Sequence, residues 1–223
     1  MRSFLRLTLA AALCAAPISG ALGQESQRRF RLLKPDEMTP AQRELVRSIQ
    51  SGPRASVQGS AANQSGGTVG SPFNVFLRSP ELGEDLQKVG SYIRFKSTLG
   101  QRLTELAILV TARYWNAQYE WHAHHRLALQ AGLDPKIAEE IAHGRRPVGM
   151  KHDEEAVYAF SHELHHDKQV SDATYRKVIE LFGEQGAMDL MAVNGYYSLV
   201  SMVLNVDRTP IPNGGPNPLP VLK

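Results

Sequence analysis

ELAILVTARYWNAQYEWHAHHRLALQAG, residues 105 to 132, is the stretch on which the reading of this chain turns. It holds the longest apolar segment beyond the N-terminal leader and sets two carboxylates and a histidine into it. Ionisable groups in such company are costly unless they have a role. The apolar pattern pauses at Asn116, which splits the stretch into two helices, the second starting near Ala117. On that second helix Glu120 and His124 are four residues apart and share a face. A carboxylate beside an imidazole orients its tautomer and poises it for proton transfer near neutral pH. Glu105, between Leu103 and Leu106, must find a partner or shift its pKa toward the neutral form. A Glu and a His at this spacing also form ordinary surface pairs, and spacing alone does not choose between the two.

Outward from this centre the chain keeps helical punctuation. Upstream, Thr39-Pro40-Ala41-Gln42 has the N-cap, the proline and the capping-box glutamine of a helix start, and that helix should end near Gly52. Ser79-Pro80-Glu81 starts another helix, on which Leu82, Leu86, Val89, Tyr92 and Ile93 keep helical spacing to about Lys96. Downstream, Asp134-Pro135 opens a helix closed by Gly144. Asp153 to His166 is amphipathic, Ser171 caps a helix that runs to Gly183, and Met188 to Val206 is apolar nearly all round. That last helix suits the core or a subunit contact. No alternating run argues for a strand. The expectation is an all-α fold in one domain of about seven or eight helices.

Two segments fall outside this pattern. Residues 52 to 72 are rich in Gly, Ser, Ala, Asn and Gln and read as a mobile loop for want of apolar surface, or as one that orders over a neighbouring surface or subunit. The tail from Thr209 is too rich in Pro and Gly for a helix. Residues 24–72 then form an N-terminal helix with a flexible segment, 73–206 the helical domain, and 207–223 the tail.

Residues 1–23 look like a secretory signal peptide. Arg2 and Arg6 form the basic start, Leu7 to Ile18 the apolar run, and Ala21-Leu22-Gly23 the cleavage signature. Export to the periplasm or the exterior follows as an expectation, with no membrane anchor left after cleavage. Roughly 200 residues would remain, enough for a sizeable core. With the two leader arginines gone, the formal charge falls from +3 to +1, which makes no electrostatic case for nucleic acid. The only cysteine, Cys14, lies in the leader, so the remainder carries no thiol.

The segment from Leu99 to Gly132, with Glu105, Tyr119-Glu120-Trp121, His124 and Ala128-x-x-Ala131-Gly132, resembles the carboxymuconolactone decarboxylase family, which includes the AhpD-like peroxidases. Gly195-Tyr196-Tyr197-Ser198-Leu199-Val200 and the Asn205 region are similar too, and the likeness covers most of residues 73 to 206. The resemblance implies an AhpD-like helical bundle assembled as a homo-oligomer. Peroxidase members carry a glutamate, a Cys-x-x-Cys at a helix start and a histidine. By spacing, these fall on Glu105, on Ala117 and Glu120, and on His124. Without thiols, peroxidase chemistry has no nucleophile. What the resemblance leaves is an acid/base set, Glu105, Glu120 and His124, like members that work without cysteine or cofactor on a small carboxylated lactone. Arg113, or Arg94 on the preceding helix, would receive a substrate carboxylate. Tyr119 and Trp121, flanking Glu120, are further candidate substrate contacts, although Trp121, like Leu127 and Ala128, better suits the core.

A competing motif is His162-Glu163-Leu164-His165-His166, which satisfies H-E-x-x-H. In a zinc hydrolase His162 and His166 would bind the metal and Glu163 would activate water, with Glu180 or Glu184 as candidate third ligands. Its place at a helix end suits a solvated terminus as well. His122, His124 and His125 cannot all face one ion on a regular helix. A degenerate family member that only binds its ligand is the non-enzymatic alternative.

Overall fold

The computed structural model describes residues 28–57 and 60–222; the leader expected over residues 1–23, Cys14 included, lies outside them. Among the described residues there are eight α-helices and no strand: α1 Pro40–Ser51, α2 Phe73–Phe76, α3 Pro80–Phe95, α4 Gly100–Tyr114, α5 Gln118–Gln130, α6 Pro135–Ala142, α7 His152–His166 and α8 Asp172–Asp207.

α4 is the axis of the bundle, packed against α5, α7 and α8. Every residue from Leu103 to Ala112 is buried, as a helix apolar on all sides requires. Asn116, with a positive φ of 49°, turns the chain into α5, at the break where the apolar pattern pauses. The entrance to α4 is fixed from α8. Buried Asp189 accepts from the Thr98 backbone N–H at 2.8 Å, from the Thr98 hydroxyl at 3.0 Å and from Tyr92 at 3.2 Å. Arg102 ties α4 to the start of α7 by ion pairs to Asp153 and Glu154.

Within α8, Gly183 takes φ 66° and ψ −176°, conformational freedom that only glycine has without strain, so the helix is two helices joined at a kink. The Ser171-capped helix and the Met188 to Val206 helix expected from sequence are these two halves. Part of the second half is uncovered, with Met188 58 % and Val206 50 % exposed.

Two expectations are corrected. On α3 the inward residues are Gly83, Gln87, Gly90 and Ile93, whereas Leu82, Val89 and Tyr92 are exposed. The glycines decide this, because they let neighbouring groups approach where a side chain would collide. A Cβ on Gly83 would meet Leu45 Cδ2 at 2.7 Å and the Phe76 carbonyl at 2.9 Å. The second correction concerns residues 52 to 72, which are not a loose loop where they are described. Ala62 and Val69 join Leu45, Ile49, Phe73 and Leu77 in a second, smaller core, and the Gly70 N–H donates to the Ala61 carbonyl at 2.7 Å. Few apolar residues suffice because the segment adds to a core already built by α1 and α2. Its end is pinned by Asp207, fully buried, which accepts from the Ser71 hydroxyl at 2.6 Å, the Phe30 N–H at 3.1 Å and Arg28 at 3.0 Å.

Candidate functional site

α4 and α5 bring three of the sequence candidates together. Glu105 on α4 is 1 % exposed, and Glu120 and His124 on α5 are 3 % and 7 % exposed. His124 Nδ1 lies 2.6 Å from Glu105 Oε2, and its Nε2 lies 3.4 Å from Glu120 Oε1. One imidazole therefore sits between two carboxyl groups. With Nδ1 facing Glu105 at this short distance, Nε2 is the ring nitrogen left facing Glu120. Glu120 Oε1 is buried and makes no hydrogen bond. Burial is the largest influence on this carboxyl and pushes its pKa up to about 7; His124 and Arg94 pull it down, and Glu105 pushes it up. Glu120 thus exchanges a proton near neutrality, as a general acid or base must.

From α8, the edge of Tyr197 meets the His124 ring at 5.1 Å between centroids and 80°, and Tyr196 stands edge-on to Tyr197 at 5.3 Å. Burial raises both phenols, Tyr196 to about 12 and Tyr197 well above its ordinary value, so both are neutral at physiological pH.

Glu120 and His124 line a cavity of about 490 Å³. Arg54, Pro72 and Phe73 line it from the N-terminal segment, Arg94 from α3, Tyr119 and Leu127 from α5, and Tyr196 and Tyr197 from α8. Arg94 and Tyr119, two of the candidate substrate contacts, thus line the same cavity as Glu120 and His124. Arg113 does not. It donates to the Ala142 carbonyl at 3.1 Å and the Pro220 carbonyl at 2.9 Å, and so holds α6 and the tail to the end of α4. It lies eight residues beyond Glu105, roughly 12 Å along the helix axis. Trp121 is also placed elsewhere, 2 % exposed in the main core and stacked on His125 at 5.8 Å. Sequence reasoning missed Arg54, an isolated arginine in a low-complexity stretch, and gave no role to Tyr196 and Tyr197.

Gly90 on α3 fits against this wall. A Cβ there would lie 2.3 Å from Tyr196 Oη and 2.6 Å from Arg54 Nη2. Gly90→Ala must displace the tyrosine ring, a loss of about 1–2 kcal/mol despite the better helix propensity of alanine. A urea melt in which the variant matches or exceeds the parent contradicts this close packing.

The H-E-x-x-H segment is arranged otherwise. His162 and His166 stack at 4.3 Å between centroids, but Glu163 accepts from the Ser171 N–H at 2.7 Å and the Thr174 hydroxyl at 2.6 Å, fixing the start of α8. His165 turns inward to Thr111 Oγ1 at 2.9 Å. Among the described residues no group of three or more His, Cys, Asp or Glu side chains is placed to hold a metal ion, so neither Glu180 nor Glu184 completes a zinc site. His122, His124 and His125 likewise diverge, with His122 exposed and His125 on Trp121.

Comparison with known proteins places this helical core. No curated protein matches the chain significantly. Among solved structures, the chain is similar to a protein of unknown function from Agrobacterium tumefaciens whose description suggests the antioxidant-defence protein AhpD. The identity is 14 %, the TM-score 0.56, and the match covers 62 % of this chain and 96 % of that one. At that identity the likeness concerns the fold, which is the AhpD-like helical fold. Residues 80–161, from α3 into α7 and including Glu105, Glu120 and His124, match the carboxymuconolactone decarboxylase family model.

Proposed function

We propose that this chain is an enzyme that performs acid/base chemistry with its own side chains, without a cofactor, on a small carbonyl acid or lactone. The reaction is decarboxylation, as in a carboxy-lyase, or proton transfer beside a carbonyl. The observation that carries this reading is His124, held by Glu105 at 2.6 Å and facing an unbonded, buried Glu120 carboxyl at 3.4 Å, where a cavity opens. Solvated surface pairs need no such burial.

In decarboxylation the carbon–carbon bond to the carboxylate breaks, carbon dioxide leaves, and the electron pair passes into the neighbouring carbonyl as an enolate. The Glu120 carboxyl then delivers its proton to the enolate carbon and becomes a carboxylate beside His124. His124 relays a proton from solvent to restore it, while the Glu105 charge stabilises the transient imidazolium. Thiol peroxidase activity is not expected, since Ala117 and Glu120 stand where peroxidase members carry cysteine and the chain's only cysteine is Cys14. The apolar residues left uncovered on α3 and on the second half of α8 support assembly as a homo-oligomer.

The test is a screen of small keto acids and carboxylated lactones for carbon dioxide release and for deuterium uptake beside the carbonyl in heavy water. Turnover above that of heat-denatured protein is expected. Saturable binding across the screen with neither release nor exchange would make this a binding protein instead.

A further inference from the structure

The geometry points to a subsite in which Arg54 and Arg94 hold a carboxylate of the substrate that is not the reacting group. The inference rests on the acid/base reading above and goes beyond it by naming what the substrate must carry.

Arg54 is 4 % exposed, an unusual place for a guanidinium. Its Nη1 donates to the Gln87 carbonyl at 3.0 Å and approaches Gln87 Oε1 at 3.4 Å, and the group stands 5.4 Å over the Phe73 ring. These are neutral partners. No carboxylate among the described residues forms an ion pair with Arg54, and the same holds for Arg94, whose guanidinium lies 5.3 Å from the Phe95 ring. Both line the cavity that Glu120 and His124 line.

A buried lysine relieves such a position by losing its proton. A guanidinium cannot, so it needs an anion. Neither Glu120, which lines the cavity, nor Glu105 behind it serves. Glu105 is committed to His124 at 2.6 Å, and Glu120, buried with an unbonded oxygen, faces the same imidazole at 3.4 Å and forms no ion pair with either arginine. The matching anion is planar with two oxygens, since a guanidinium receives a carboxylate through paired N–H donors.

Chemistry then separates two roles for a carboxylate. Ion pairing stabilises the charge of the ground state, which is lost when that carboxylate leaves as carbon dioxide, so arginines on the departing group would slow the step. The carboxylate on Arg54 and Arg94 is one that stays, and it places the reacting carbonyl end toward Glu120 and His124. A decarboxylation substrate accordingly carries two carboxylates, and a proton-transfer substrate at least one. Arg54 lies outside the family-matched residues 80–161 and Arg94 within them, so the N-terminal segment supplies one of the two guanidinium groups.

The experiment measures binding without turnover. Levulinate, a keto acid with two methylenes between ketone and carboxylate, and levulinamide, its neutral counterpart, are titrated into the purified protein at pH 7 and low salt by ligand-observed NMR. Levulinate should bind more tightly than levulinamide by on the order of tenfold to a hundredfold. Arg94→Gln should cut that preference by on the order of tenfold, and Arg54→Gln should do the same where its circular dichroism shows it folded. Equal binding of acid and amide, no saturable binding of levulinate, or an undiminished preference in Arg94→Gln overturns the subsite. Deuterium uptake into levulinate is followed in the same samples. Preferred binding without uptake keeps the subsite and counts against the acid/base reading, and uptake with no preference does the reverse.

Discussion

His124→Ala is expected to lower kcat by about 10²–10⁴-fold on any substrate the screen identifies, the contribution typical of a positioned acid/base group. The loss should appear in kcat far more than in KM, because the arginines and the tyrosine wall that hold the substrate stay in place. Glu105→Gln is expected to move the rate in the same direction. An amide at 2.6 Å from Nδ1 no longer supplies the charge that stabilises an imidazolium, and it allows the wrong tautomer. The two substitutions should not add, because they disable one relay, so the double variant should be about as slow as the slower single one. Removing His124 leaves the Glu105 carboxylate, 1 % exposed, with no ring to hold, and about 3–5 kcal/mol of stability is at risk. His124→Asn, which keeps a polar group at the position, checks that slow turnover is not unfolding. A folded His124→Ala protein within threefold of the parent kcat would remove His124 from the chemistry.

The helices were readable wherever a local rule governs them. Thr39 and Gln42 form their capping box, with the Gln42 N–H donating to Thr39 Oγ1 at 3.3 Å, because capping involves only the first turn. Asn116 and Gly183 mark breaks because a left-handed backbone is a local demand. The pairing of Glu120 with His124 is a four-residue spacing on one helix and was equally legible. The approach of Glu105 to His124 joins two helices and depends on how α4 packs on α5, which spacing does not contain; a carboxylate in an apolar run signals only that some partner exists. Arg54 shows the limit most plainly. Composition around it argues for mobility, and only the neighbouring surfaces of α1, α2 and α3 turn that segment into a cavity wall. Arg113 fails for the converse reason, since being close in sequence to the site is not being close along a helix axis.

Glu120→Gln is expected to make the protein more stable and less active at once, with a pH dependence that identifies the cause. Burial, the largest influence, lifts the folded-state pKa of Glu120 to about 7 from an ordinary value of 4.5, which the unfolded chain restores. Between these two values the folded protein binds a proton that the unfolded chain has released. Rising pH therefore favours unfolding through this window, and stability that is full below about pH 4.5 declines until about pH 7 and then levels. At 1.36 kcal/mol per pH unit, the decline is on the order of 3 kcal/mol. Glutamine does not titrate, so urea melts of Glu120→Gln should lack this slope and exceed the parent at pH 8 while matching it near pH 4.5. The rate should respond oppositely, because the amide has no proton to deliver to an enolate and the parent's kcat should fall above about pH 7 as Glu120 ionises. A functional carboxyl kept where it destabilises the fold is what a stability–activity trade-off looks like at one residue. Parallel stability curves for parent and variant would return Glu120 to the role of a neutral core residue, and the proton donor would then have to be His124 itself.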